Sequence, residues 1–188
     1  MSENENVKNL GPLAPLAGIW EGDEGVDDAP SDRREHEETR YRERIVLEPI
    51  GLVENHEQKL QALRYSTTAF RLGEQDAFHE EVGYWLWDAA EGQVMRCFMP
   101  PRGMAILAGG SAGATDRTFS MAAEVGAEVY GISSSPFLDR EFKTVRYELT
   151  ISVEDENTFR YEEDTQLKIK GQSEIFHHRD SNTLRRVG

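Results

Sequence analysis

The stretch Val145-Arg146-Tyr147-Glu148-Leu149-Thr150-Ile151-Ser152-Val153 alternates apolar and polar residues without a break. Every odd-numbered residue is apolar and every even-numbered residue is polar, which is the period of two of a β-strand with one buried face. A helix has a period of about 3.6 residues and would spread these apolar side chains over its whole surface. The stretch therefore predicts a strand that separates a core from solvent.

The same alternation recurs, less cleanly, along most of the chain, at 39–48, 58–72, 77–87, 93–99, 103–108, 117–124, 158–169 and 172–178. Gly- and Pro-containing turns such as Pro100-Pro101-Arg102-Gly103 separate these segments. About ten closely spaced strands with hardly any helical period predict an all-β, antiparallel up-and-down barrel, because closure removes exposed strand edges. Since eight strands can already enclose a small ligand, a barrel of about ten should contain a larger, mostly apolar cavity.

Other segments complete this prediction of one domain. Two prolines and three leucines in 10–17 indicate a short helical plug at one end of the barrel. The acidic segment 23–38 and the small polar segment 130–136 are predicted to be loops. We expect residues 1–9 to be a disordered tail and residues 10–188 to form the barrel domain.

Composition excludes several classes of partner. The 188 residues include 21 Lys and Arg against 35 Asp and Glu, and the net charge of −14 opposes contact with nucleic acid or an anionic membrane. Cys97 is the only cysteine, so neither an internal disulfide nor a cysteine-based zinc site can form. The first residues lack the basic and apolar regions of a secretory signal, so a cytoplasmic location is expected.

Three segments carry a resemblance to a known family. They are the proline-leucine turn with GxWxG in 13–22, the HxExGYW-like stretch in 79–85 and the Pro-Arg-Gly turn in 101–103. In this order they resemble nitrobindins, small heme-binding β-barrels related to fatty-acid-binding proteins. The resemblance implies heme b in the barrel mouth, held by one histidine near the C-terminus, and barrels that are often paired as homodimers. It also implies binding of nitric oxide and isomerisation of peroxynitrite to nitrate, an enzymatic activity that depends on bound heme.

Three adjacent residues, His177, His178 and Arg179, are the candidates for the heme site. If the strand containing Leu167 continues past Gly171 in unbroken alternation, His177 faces the cavity as the metal ligand and His178 faces outward. Counting back from the C-terminal Leu-Arg-Arg, which resembles the end of the family sequence, places Arg179 at the ligand position instead. A guanidinium cannot ligate iron but can bind a carboxylate or another anion.

Two alternatives to a heme protein follow from the residues. A heme-free barrel would carry a fatty-acid-like or other small apolar molecule, with Arg179 or another inward cation on its head group. A hydrolase or unrelated isomerase lacks support, because the sequence contains no recognisable nucleophile or metal-hydrolase motif.

The predicted strand 77–87 contains two further pairs of interest. His79 and Glu81 share one strand face, as a polar pair or a catalytic dyad, and Trp85 and Trp87 also share a face, as packing groups. No catalytic residue is assigned.

Overall fold

The computed structural model describes Val7 and residues 9–188 and folds them into one closed β-barrel of eleven strands. The all-β barrel prediction is confirmed, with one strand more than the expected count of about ten. Most of the predicted disordered tail, residues 1–9, lies outside the described residues. The strands are β1 (Gly18–Pro30), β2 (His36–Asn55), β3 (Gln58–Arg71), β4 (Ala77–Asp88), β5 (Gln93–Met99), β6 (Met104–Ser111), β7 (Thr118–Val125), β8 (Gly131–Ser134), β9 (Phe142–Val153), β10 (Thr158–Ile169) and β11 (Phe176–Arg186).

The strand order around the barrel is β1-β11-β10-β9-β7-β8-β6-β5-β4-β3-β2, so the first and last strands close it. Only β8 departs from the up-and-down order in the described chain, because it lies between β6 and β7 and runs parallel to β7. This strand falls within segment 130–136, which the sequence predicts as a loop. Four residues with one buried side chain, Ile132, are too few to show a period.

The acidic segment 23–38 is also more regular than predicted. Strands β1 and β2 continue through it as an antiparallel ladder, with pairs from Gly18↔Leu47 to Pro30↔His36, and only residues 31–35 separate them. The loop prediction is wrong there because inward positions such as Asp27 are also charged, so the alternation of apolar and polar residues disappears.

The predicted helical plug is confirmed as a 3₁₀ helix, Gly11–Leu16, whose leucines are completely buried. The Trp20 indole donates to the carbonyl of Leu16 at 2.8 Å, and Arg186 donates to the carbonyls of Pro15 and Ala17 at 2.7 and 2.6 Å. These bonds tie the plug to the first and last strands, so this end of the barrel is closed.

The opposite end, called the mouth below, is partly covered by helix α1 (Pro136–Glu141). The Ser135 side chain caps α1 by accepting from the backbone N–H of Leu138, whose buried side chain lines the mouth. Among residues 9–188, neither helix has the length and apolar character needed to cross a membrane.

Candidate functional site

The turn before β11 decides which C-terminal side chains enter the barrel. Residues 170–175 form the turn between β10 and β11 and do not take part in the pairing of these two strands. The pair nearest to the turn is Leu167↔Phe176. Directly paired residues share a face, so the pair Thr165↔His178 points inward and the pair Gln166↔His177 points outward. The predicted inward orientation of His177 is therefore wrong, because alternation cannot be extended through a turn that interrupts the strand.

The three candidate ligands consequently lie in different environments. His178 lines the interior, and its Nε2 donates to the Asp27 carboxylate at 2.6 Å. His177 lies on the outer face, with Nδ1 at 2.7 Å from Asp164 and 41% of its side chain exposed. Arg179 is exposed on the outer face opposite Asp28. Neither His177 nor Arg179 is among the residues that line the mouth or the deep interior.

The mouth contains a cavity of about 400 Å³, within the size range of small-molecule and cofactor sites. His79 and His178 line it together with Arg34 and Arg102. The apolar part of its wall consists of Phe98, Met104, Ile106, Leu138, Phe142 and Leu167. A heme needs an imidazole for its iron, an apolar wall for its macrocycle and cations for its anionic side groups. The residues that line the mouth provide all three, so they fit a heme.

Below the mouth, a smaller cavity of about 100 Å³ extends toward the plug, and we call it the deep cavity. Its lower wall is apolar and includes Leu16, Ile45, Leu47, Leu149, Ile151 and Phe159. Arg96 is the only arginine or lysine among its lining residues. The barrel interior is therefore not a uniform apolar volume, because a buried arginine lies in its middle.

Arg96 is held between two tyrosine–glutamate pairs. Its guanidinium contacts Glu81, lies 3.1 Å from Glu163 and donates to the Tyr65 hydroxyl at 2.7 Å. Tyr65 donates to Glu81 and Tyr147 donates to Glu163, each at 2.7 Å. The two carboxylates have one guanidinium between them, and the imidazole of His79, 3.2 Å from Glu81, supplies a second positive charge when it is protonated.

Burial and the neighbouring charges have opposite effects on the pKa of the Glu81 carboxyl. Burial would raise the pKa of its carboxyl, but the attraction of Arg96 and hydrogen bonds from His79 and Tyr65 more than offset this and lower the pKa to about 2. Burial alone would lower the pKa of His79, but its hydrogen bond to Glu81 and the attraction of that carboxylate raise it. The two residues lie 3.2 Å apart, as the predicted polar pair.

A second buried cluster joins two carboxyls through two tyrosines. The hydroxyl of Tyr41 lies 2.5 Å from Asp180 and 2.6 Å from the hydroxyl of Tyr161, which is 2.9 Å from Glu43. Three hydrogen bonds in series need three protons, and the tyrosines supply two. The third must therefore come from Asp180 or Glu43, and burial raises the pKa of both carboxyls in agreement with this count.

Apart from Glu81, which was predicted to pair with His79, sequence reasoning missed the residues of both clusters, although a signal was present. In β5 the buried positions are Val94, Arg96 and Phe98, so a charged residue occupies the inward phase of an apolar strand. Glu43 follows the same pattern between Tyr41 and Ile45 in β2. A charged residue in the inward phase needs a partner inside the barrel, and that requirement identifies it from the sequence.

Comparisons with known proteins agree with this geometry. Residues 9–186 match the family described as the THAP4-like, heme-binding beta-barrel domain. No curated protein matches the chain. The crystal structure of Rv2717c from M. tuberculosis is similar, with a TM-score of 0.66 and 20% identity over 95% of this chain and 97% of that one, a likeness that concerns the fold. The family match covers nearly the whole barrel, and the chain therefore belongs to the THAP4-like, heme-binding β-barrel domain family.

Proposed function

We propose that the barrel binds one heme b at its mouth and that the imidazole of His178 would hold the iron. The observation that carries this proposal is the imidazole of His178, which lines the mouth while one of its nitrogens is held 2.6 Å from Asp27. A histidine that ligates a metal commonly donates its other ring N–H to a carboxylate, and Asp27 provides this second partner. Membership of a heme-binding family supports the same cofactor.

The surrounding residues have separate roles in this proposal. Asp27 fixes the tautomer of His178, so that the second ring nitrogen keeps its lone pair for iron. The apolar wall, which includes Phe98 and Phe142, excludes water from the faces of the macrocycle. Arg102 makes no ion pair within the described part of the chain and lies at the mouth, where it can bind a heme propionate.

Bound ferric heme would supply a Lewis acid for nitric oxide binding and for the isomerisation of peroxynitrite to nitrate, as the resemblance to nitrobindins implies. The protein would then be a peroxynitrite isomerase. His79 lines the mouth opposite the C-terminal strand, and its raised pKa favours the imidazolium form. That positive charge attracts an anionic substrate such as peroxynitrite to the mouth. A cytoplasmic location and a homodimer stay predictions.

A hemin titration of the purified apoprotein tests the proposal. We expect a shifted Soret band that saturates at one hemin per chain in the wild type. His178→Ala should lose the shift, and His177→Ala is the matched control because the neighbouring ring lies on the outer face. Imidazole added to His178→Gly should restore the wild-type spectrum. The absence of a shift, an unchanged spectrum in His178→Ala or a loss in His177→Ala would contradict the assignment.

The heme-free carrier of a fatty-acid-like molecule has less support. Its expected head-group cation, Arg179, lies on the outer face, and the inward Arg96 already binds the carboxylates of Glu81 and Glu163. A further carboxylate would therefore find no unbalanced positive charge in this cluster. Native mass spectrometry that finds a co-purifying fatty acid in protein without heme would favour the carrier.

A further inference from the structure

Two N–H groups inside the barrel have no acceptor among the described residues. They are the indole Nε1 of Trp85 and the Nε of Arg96. The two residues are direct partners across β4 and β5 and are 5% and 4% exposed. The guanidinium carbon of Arg96 lies 5.5 Å from the centre of the Trp85 ring, and both side chains line the deep cavity.

Unpaired buried donors are costly, so native proteins rarely retain them without a water or ligand that accepts from them. Here two such donors lie side by side at the same cavity. Its volume of about 100 Å³ exceeds the roughly 10–15 Å³ that one water needs. The site has room for an acceptor that belongs to a larger molecule.

The charged groups around Arg96 indicate whether the acceptor is an anion or a neutral group. Glu81 and Glu163 already balance the positive charges of Arg96 and of the His79 imidazolium, so an added anion would find no net attraction to offset the loss of its hydration. Burial also holds the pKa of Glu43 above its usual range, which indicates that this interior disfavours further negative charge. Below the two donors the wall is apolar, with Leu47, Leu149 and other aliphatic side chains.

We propose that the deep cavity is a binding site for a small, neutral, mostly apolar molecule with one carbonyl oxygen, which accepts hydrogen bonds from Trp85 Nε1 and Arg96 Nε. A ketone, aldehyde or ester fits this description, with its hydrocarbon part against the apolar wall above the plug. The two donors of this site lie on β4 and β5, whereas the proposed heme ligand His178 lies on β11 and lines both the deep cavity and the mouth. The site extends the function of the barrel to a second ligand class.

The test uses the full-length apoprotein, so its result is independent of heme. The probes are 2-hexanone, hexanoate and 1-hexylamine, three short chains that differ mainly in the charge of the head group. In a protein labelled with ¹⁵N, 2-hexanone should move the Trp85 indole N–H resonance downfield as it becomes hydrogen-bonded. Calorimetry should show that 2-hexanone binds more tightly than either charged probe.

Variants identify the donor. Trp85→Phe keeps an aromatic ring and removes the N–H, so we expect its affinity for 2-hexanone to fall about three- to tenfold, the effect of one lost hydrogen bond. Trp87→Phe is the matched control, because Trp87 is also buried on β4 but does not line the deep cavity. An unmoved Trp85 resonance, tighter binding of hexanoate or equal affinities in Trp85→Phe and the wild type would overturn the proposal. A crystal structure of the protein with 2-hexanone that holds only waters at both donors would also overturn it.

Discussion

Replacing Arg96 with methionine tests how the interior of this barrel is stabilised. Methionine retains much of the aliphatic volume but leaves Glu81 and Glu163, whose side chains are only 8% and 17% exposed, without their cation. Removing one partner of a buried ion pair costs about 3–5 kcal/mol. The pKa of Glu81 falls from 4.5 to about 2 even though burial raises it, a net effect of about 3 kcal/mol at about 1.4 kcal/mol for each tenfold change. Arg96 is the largest favourable contribution to this net effect, followed by His79 and Tyr65.

Domains are stable by about 5–15 kcal/mol, so this loss takes a large part of the total. Its dependence on pH has a definite sign. In the wild type, the lowered pKa of Glu81 means that its contribution is complete above 4.5 and is lost as pH falls toward 2. Without Arg96, burial dominates and raises the pKa of Glu81, so the variant gains stability as pH falls from neutral. The difference between the two proteins should therefore shrink with falling pH.

Urea unfolding at pH 7, 5.5 and 4, followed by tryptophan fluorescence, measures this difference. The control is Arg146→Met, because Arg146 also pairs with two glutamates but lies at the surface, where such pairs contribute about 0–1 kcal/mol. Adding Glu81→Gln and Glu163→Gln to Arg96→Met should recover most of the loss. A cost below about 1 kcal/mol at pH 7, or a difference that grows as pH falls, would refute the reasoning.

Three further substitutions probe other parts of the barrel. Because burial raises the pKa of Glu43, the wild type loses stability as pH rises through that pKa. Glu43→Gln should remove this contribution to the pH dependence of stability and raise the melting temperature at pH 8 by about 2–4 °C, measured by calorimetry. Gly83→Ala places a Cβ in steric conflict with the carbonyl oxygen of Cys97, so we expect a cost of about 1–3 kcal/mol in urea unfolding. An unchanged midpoint would show that β4 and β5 can separate freely. Asp27→Asn removes the charged partner of His178 and should weaken hemin binding about 10–100-fold in spectroscopic titrations, an effect that an orienting role requires.

The local alternation of apolar and polar residues was sufficient to predict most strands of the barrel, and the places where it failed can be identified. The alternation in 145–153 predicted β9, and the prolines and leucines near the N-terminus predicted the plug. It failed for β8, which is too short to show a period, and for the ends of β1 and β2, where charged side chains occupy both faces. In each failure the strand exists because its backbone pairs with a neighbouring strand, which no local pattern records.

The sequence by itself determined that this chain forms strands, that they are numerous enough to enclose a cavity, and that histidines occur near the C-terminus. Only the tertiary structure decided that His178 and not His177 enters the barrel, because the turn at 170–175 sets the register of β11 against β10. It also decided that Arg96 meets Glu81 and Glu163. Arg96 and Glu81 lie on the neighbouring strands β5 and β4, but Glu163 lies on β10, and only closure of the barrel around a common interior brings it to Arg96.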